Sequence, residues 1–250
     1  MGLFPVNIIQ RLAKCEKVTV LTGAGISAES GISTFRGLGG LWEKVDPMKM
    51  ATLEAFTKDP KTVWEWYEAR RHQVAEAKPN EGHNVLAWMQ DYFPQLTLIT
   101  QNVDRLHQKA GSRHVLELHG SLWLVRCAGK PSCGEWEDRH ELVNLPPKCP
   151  HCGALARPGV VWFGEGLPTD AWAEAEKAAQ ECDAFLVIGT SALVYPAAGL
   201  PEEPLRKDKL VIEINPEETN LSSRVTLSVR AKAGEALVQL AEGLSSEALA

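Results

Sequence analysis

The segment Val18-Thr19-Val20-Leu21-Thr22-Gly23-Ala24-Gly25-Ile26-Ser27-Ala28-Glu29-Ser30-Gly31 constrains the fold more than any other stretch. Its first half alternates β-branched and apolar residues, the pattern of a buried strand. The strand runs into Gly23-Ala24-Gly25 with Ala28 at the third small position, a G-x-G-x-x-A arrangement. Glycines there allow a sharp turn and a close approach of the backbone to a phosphate, and the next helix aims its free N–H groups at that phosphate. Taken alone, the pattern also fits an ordinary tight strand-to-helix turn. A dehydrogenase-type site would continue through a full helix to a second strand ending in an acid about 20 residues on. Here Gly31 cuts the helix short, and the polar, glycine-rich Ser33-Thr34-Phe35-Arg36-Gly37-Leu38-Gly39-Gly40 follows. The expectation is a dinucleotide site in which a loop carrying Phe35 and Arg36 replaces the second strand. An aromatic and a cation beside the pyrophosphate point to chemistry at the nucleotide, beyond docking.

The rest of the chain supports an α/β fold. Short helices are expected at Pro5–Lys14 and Gly82–Phe93, with a helical stretch from Pro47 to Lys78 in which Pro60 starts the longer helix. Strands are expected at Leu96–Thr100, His114–Leu118, Val160–Phe163, Ala184–Gly189, Leu210–Asn215 and Val225–Val229, and helices at Thr169–Glu181 and Ala231–Gly243. Apolar strands alternating with helices imply a parallel sheet covered on both faces, with ligands bound beyond the strands' carboxyl ends. Residues from about Cys127 to Cys152 are polar and rich in Gly, Pro and Cys, so they read as a small metal-stapled insertion without its own core. The expected division is a Rossmann-like domain of residues 1–45, 92–125 and 155–250. A helical insertion (46–91) and a zinc-binding insertion (126–154) together form a small domain.

At 250 residues, 44% hydrophobic and 23% charged, the chain is an ordinary globular sequence able to bury a sizeable core. Its net charge of -6 argues against a general nucleic-acid or membrane-surface binder. No apolar run has the length of a membrane span, and the N-terminus carries no signal-peptide core, so the cytoplasm is the expected compartment. In that reducing setting six cysteines point to metal ligation or burial. Cys127, Cys133, Cys149 and Cys152 form C-x5-C…C-x2-C; the second pair is a zinc-knuckle spacing and the first is looser. Four thiolates leave no open position, so the metal would be structural.

Polar residues just past the strand ends carry the candidate chemistry. Gln101-Asn102-Val103-Asp104 follows one strand and could hold an amide or a ribose, or could serve as a plain helix N-cap. His119-Gly120 follows the next, and imidazole is the natural general base near neutral pH, although a lone histidine can also be structural. The other six histidines have no such placement. Gly189-Thr190-Ser191 and Asn215-Pro216-Glu217 end the late strands and suit the adenosine ribose and phosphates, or simple turns. Val63, Trp66, Tyr67, Arg70 and Val74 share one helical face. A guanidinium on that apolar stripe demands a carboxylate, from an internal acid such as Glu54 or Glu165 or from a substrate.

With these residues assembled, the sequence closely resembles the sirtuins, NAD-dependent protein-lysine deacylases, of a bacterial or archaeal kind. The resemblance rests on Gly23-Ala24-Gly25-Ile26-Ser27 through Phe35-Arg36, Gln101-Asn102-Val103-Asp104, His119-Gly120, the four cysteines, Phe163-Gly164-Glu165, Gly189-Thr190-Ser191 and Asn215, in the family's order. Tyr67 and Arg70 match the Tyr-x-x-Arg pair of the class III, desuccinylase-type sirtuins, and Ala51 matches the small residue that widens their acyl pocket. The resemblance implies that NAD and one structural zinc ion are bound, that acylated lysines of proteins are the substrates, and that nicotinamide and O-acyl-ADP-ribose are released. It implies His119 as the base, with Asn102 and Ser27 ordering the ribose and a water. Asp104 and the backbone near Ile26 would hold the carboxamide, Phe35 would cover the sugar face, and Arg36 would meet a phosphate. Gln101 and Ala233 would complete the cofactor site, and Val160, Phe163, Gly164, Glu165 and Val194 would receive the peptide. Trp162 stands where an aliphatic residue or phenylalanine is frequent. A monomer without direct nucleic-acid or membrane contact is expected. Protein ADP-ribosyl transfer and a non-catalytic NAD-sensing module are the alternative readings.

Overall fold

The computed structural model describes residues 2–35, 40–142 and 144–248. In chain order the elements are α1 (Val6–Ala13), β1 (Lys17–Thr22), a 3-10 helix (Ala24–Ser30), α2 (Leu41–Lys44), α3 (Leu53–Lys58), α4 (Pro60–Glu76), α5 (Glu81–Tyr92) and β2 (Gln95–Thr100). They continue with α6 (Leu106–Lys109), β3 (Val115–Glu117), β4 (Gly120–Cys127), β5 (Glu135–Glu137), β6 (Ala156–Val160), α7 (Thr169–Glu181), β7 (Ala184–Ile188), α8 (Glu202–Arg206), β8 (Leu210–Ile214), β9 (Leu227–Val229) and α9 (Ala233–Ala248).

Among the described residues, six strands form a parallel sheet in the order β3-β2-β1-β7-β8-β9, and β5-β4-β6 form an antiparallel one. β1 is central: Thr22 sits level with Thr100 of β2 on one side and Ile188 of β7 on the other. Connections diverge from β1 in both directions, so a crevice opens at the carboxyl ends between β1 and β7, where such sheets take ligands. The period of two along β1 sorts its side chains. Val18 and Val20 join Leu86, Met89, Leu237 and Leu240 under α1, α5 and α9, while Leu21 joins Ile99, Val187, Ala175 and Ala179 under α7.

A second unit packs above that crevice. Val63, Trp64, Tyr67 and Val74 of α4 share one core with Leu122, Trp123, Val125, Ala156 and Trp162, and the cysteine-bearing segment leans on it through Trp136, Leu142 and Leu145. Proline starts α4 at its first position while the Asp59 side chain caps it by accepting from Thr62 N–H at 3.1 Å. Helix α5, expected within the helical insertion, packs Leu86 and Met89 into the core of the large sheet.

Three elements depart from the sequence expectations. The strand expected at Val160–Phe163 is β6, Ala156–Val160. Pro158 pairs with Val125, and a Cβ on Gly159 would lie 2.4 Å from Leu124 Cβ. The glycine is thus set by close passage of β4. Strand β4 itself, eight residues long, was hidden by an apolar run without alternation. Helix α9 runs past Gly243, where a stop was expected, to Ala248; a Cβ there would lie 2.6 Å from Ile9 Cδ1, so this glycine lets α1 approach.

Candidate active site

The expected strand-to-helix turn forms, as a 3-10 helix that Gly31 ends at φ 83°. Its glycines have a nearer reason than a phosphate. Gly25 N–H donates to Gly189 O at 2.7 Å, and a Cβ on Gly25 would lie 2.7 Å from Gly189 Cα. The two loops that follow β1 and β7 therefore touch backbone to backbone, and this contact makes the floor of the crevice.

Above that floor lies a cavity of about 720 Å³. Gly23, Ala24, Gly25, Phe35, Gln101, Asn102, His119, Gly189, Thr190, Ser191, Asn215 and Ala233 line it, as do Ala51, Tyr67, Arg70, Val160, Phe163, Gly164, Glu165 and Val194. Ile26, Ser27 and Asp104 are buried just beneath. Arg36 lies outside the described residues. The volume is in the range that holds a dinucleotide-sized ligand, and strand-end amides and hydroxyls at one end and backbone glycines at the floor suit a ribose and phosphates.

The polar groups at the β2 and β3 ends form one network. Ser27 Oγ donates to Asp104 Oδ2 at 2.7 Å and accepts from Asn102 Nδ2 at 3.2 Å. Asp104 Oδ1 accepts from Leu106 N–H at 2.9 Å just ahead of α6, whose cap residue is Arg105 and not the Asn102 or Asp104 offered by the sequence. Burial pushes the Asp104 carboxyl up, and the hydrogen bonds from Leu106 and Ser27 oppose that shift. His119 Nδ1 lies 3.0 Å from Gln101 O. A carbonyl only accepts, so Nδ1 carries the proton and Nε2 is the basic nitrogen. Burial pushes the imidazole below its ordinary range, only partly offset by that bond.

Two histidines that local pattern left aside stand behind this network. His83 Nε2 reaches Ser27 Oγ at 3.4 Å, and His107 Nε2 reaches Thr22 Oγ1 at 3.0 Å. Thr22 Oγ1 in turn donates to Thr100 Oγ1 at 2.8 Å, and Thr100 Oγ1 accepts from Asn102 N–H at 3.0 Å. Burial depresses His83 to about 4 and His107 to about 3. Both lie on helices, where a lone histidine carries no local signal; their polar neighbours come from strand ends distant in sequence.

The other end of the cavity differs. Arg70 is buried, with its guanidinium 5.3 Å from the Phe35 ring centroid and 5.9 Å from that of Trp66. Neither internal acid considered from sequence serves it. Glu54 is exposed, and Glu165 takes Arg157 instead, with Arg157 Nη2 donating to Glu165 Oε2 at 2.9 Å. Arg70 Nε and Nη1 have no hydrogen-bond partner among the described residues. Burial lowers the Arg70 pKa and raises that of the adjacent Tyr67 phenol.

The sulfur atoms of Cys127, Cys133, Cys149 and Cys152 lie within 4.8 Å of one another, with Cys127 and Cys152 3.6 Å apart and none in a disulfide. Zn–S bonds of about 2.3 Å in a tetrahedron put sulfurs about 3.8 Å apart. The set therefore fits a closed structural zinc site despite the wide first spacing. Of the remaining cysteines, Cys182 is buried and Cys15 is half-exposed just beyond α1.

Comparison with known proteins agrees with this architecture. Residues 23–196 match the model of the Sir2 family. The chain belongs to that family. An NAD-dependent protein deacylase of Aquifex aeolicus is 52% identical over 222 residues, covering 88% of this chain and 92% of the relative. A solved complex of a Sir2 homologue with NAD superposes with a TM-score of 0.92 at 44% identity, covering 100% of this chain and 96% of the other. A Sir2 protein solved with a deacetylated p53 peptide and 3′-O-acetyl ADP ribose gives a TM-score of 0.84 at 31% identity, covering 97% and 98%. No helix among the described residues is long and apolar enough to cross a membrane.

Proposed function

We propose that this chain removes acyl groups from protein lysines in a reaction that consumes NAD, and that acidic acyl groups such as succinyl are among those it accepts. The observation that carries the reading is the convergence, on one cavity, of a histidine with a free basic nitrogen, the Asn102–Ser27–Asp104 network, and two buried donors at Tyr67 and Arg70. NAD supplies a ribose carbon from which nicotinamide departs as the acyl oxygen arrives. Gly23, Ala24, Gly25, Gln101, Gly189, Thr190, Ser191, Asn215 and Ala233 hold the dinucleotide. Asn102 and Ser27 order the ribose side and a water, while Asp104 and the backbone of Ile26 hold the carboxamide. Phe35 covers the sugar face. His119 Nε2 takes a proton from a ribose hydroxyl, which its neutral form allows. Ala51, Tyr67 and Arg70 receive the acyl group. Backbone beside Val160, Phe163, Gly164, Glu165 and Val194 pairs with the peptide as an added strand.

The NAD-binding unit is the large sheet with α5 counted in it, since Leu86 and Met89 lie in its core. The smaller unit takes the remaining helical insertion and the zinc-binding insertion, with Cys127, Cys133, Cys149 and Cys152 as ligands. A monomeric working form belongs to the same reading, and thiols kept for a metal suit a reducing compartment such as the cytoplasm. Peptides bearing acetyl-, butyryl- or succinyl-lysine, incubated with NAD and scored by mass spectrometry, test the reading. Free-lysine peptide with matching nicotinamide is expected. ADP-ribose fixed on protein without deacylation would overturn it.

A further inference from the structure

Nothing in the proposed reaction uses Trp162. It is buried, at 2% exposure, and held from several sides. Its ring lies 3.6 Å from the Arg157 guanidinium carbon and 5.5 Å from the Phe56 centroid, and its backbone N–H donates to Glu165 Oε2 at 2.8 Å. So clamped, its indole Nε1–H donates to Tyr67 Oη at 2.9 Å.

That bond has a directional consequence. An indole nitrogen only donates, so the phenol oxygen must accept there. The phenol's own proton is left to point elsewhere, and no described residue accepts it. Arg70, three residues on along α4, adds Nε and Nη1, buried and likewise unpartnered. Trp66 stands edge-on to Tyr67 at 4.7 Å and beside Arg70, limiting where both can turn. Two kinds of donor thus line one cavity with no acceptor bonded to them, although the Asp104 carboxylate lies near enough to act on Arg70 through its charge, and a ligand that only accepts, an acyl carboxylate, completes them. A methyl group leaves both unmet.

We infer that Trp162 is a specificity-determining positioning residue: its indole N–H occupies the lone-pair side of Tyr67, committing the phenol to donate to an acidic acyl group. Without that N–H, the phenol oxygen is available to accept from the Arg70 N–H groups, which weakens their hold on a carboxylate and frees the phenol to turn. The inference rests on the reading that Tyr67 and Arg70 bind the acyl carboxylate. Burial, which raises the Tyr67 pKa, keeps the phenol protonated and able to donate.

The test compares kcat/KM for succinyl- and acetyl-lysine forms of one peptide, with NAD saturating. Trp162→Phe keeps an aromatic ring and removes the N–H. The succinyl-to-acetyl ratio is expected to fall about tenfold, with the loss in the succinyl KM, as for one charge-assisted hydrogen bond. In a Tyr67→Phe background the same change is expected to leave the ratio where Tyr67→Phe alone puts it. An unchanged ratio in Trp162→Phe, or an equal fall in the Tyr67→Phe background, would overturn the inference. Arg70→Met separates the two levels. If it leaves the ratio unchanged, the carboxylate reading itself fails; if it lowers the ratio while Trp162→Phe does not, only the role of Trp162 fails. Should Trp162→Phe not fold, the benzothienyl analogue of tryptophan at position 162, which replaces N–H by sulfur in nearly the same shape, takes its place with the same expected fall.

Discussion

The two ends of the cavity are built on opposite principles. At the strand ends, Ser27, Asn102, Asp104, Thr22 and Thr100 bond to one another, so that end is polar but largely satisfied by the chain itself. At the α4 end, Arg70 stands buried between two rings with nitrogens that bond to nothing described. A buried donor without a partner is penalised by a few kcal/mol in order of magnitude, so its presence calls for an explanation that a satisfied network does not need. The satisfied end is pre-organised, as a reacting centre has to be. The unsatisfied end waits for a group the substrate brings.

That contrast can be broken or sharpened by experiment, beginning with the largest effect. His119→Ala should lower deacylation about a thousandfold for every acyl group alike, in the range lost with a general base, while NAD still binds by calorimetry. Substantial residual turnover would remove His119 from the base role. Arg70→Met should lower the succinyl-to-acetyl ratio of kcat/KM about tenfold to a hundredfold, so the two ends separate in their substrate dependence. Equal losses on both peptides would make Arg70 structural.

The cysteine module bears on the α4 end. Arg71 Nη2 donates to Asp138 O at 2.7 Å and to His140 O at 2.8 Å, and Glu68 Oε1 accepts from Leu142 N–H at 3.0 Å. Cys149→Ser should release zinc and lower Tm by about 5 °C or more. Unchanged melting with zinc retained would count against the staple.

The smallest effect concerns pH. Folded His83 and His107 stay neutral down to about 4 and about 3, whereas in the unfolded chain histidine protonates near about 6.5. Below that value the unfolded form binds more protons. The stability held by these two residues is therefore complete above about pH 6.5 and is lost as pH falls towards the folded values. Tm should decline over that window, and a Tm independent of pH there would contradict the buried neutral pair.

The strand-end motifs were legible because chemistry and topology coincide there. Gln101–Asp104, His119, Gly189–Ser191 and Asn215 each follow an apolar strand, and parallel sheets gather such residues at one edge. Gly243 misled, since a glycine that sits where a neighbouring helix comes close looks the same in sequence as one that ends an element. His83 and His107 were missed because their partners, Ser27 and Thr22, lie 56 and 85 residues away. Trp162 was missed as a partner of the acyl end because its bond to Tyr67 spans 95 positions.

The central claim is that a lysine acyl oxygen is transferred to the NAD ribose as nicotinamide leaves. A peptide carrying isotopically labelled oxygen in its acyl carbonyl, turned over with NAD in ordinary water, tests it directly. The label is expected on the ribose of the ADP-ribose product, with one nicotinamide formed per lysine freed. Label recovered in a released acyl acid, or deacylation without NAD, would contradict it.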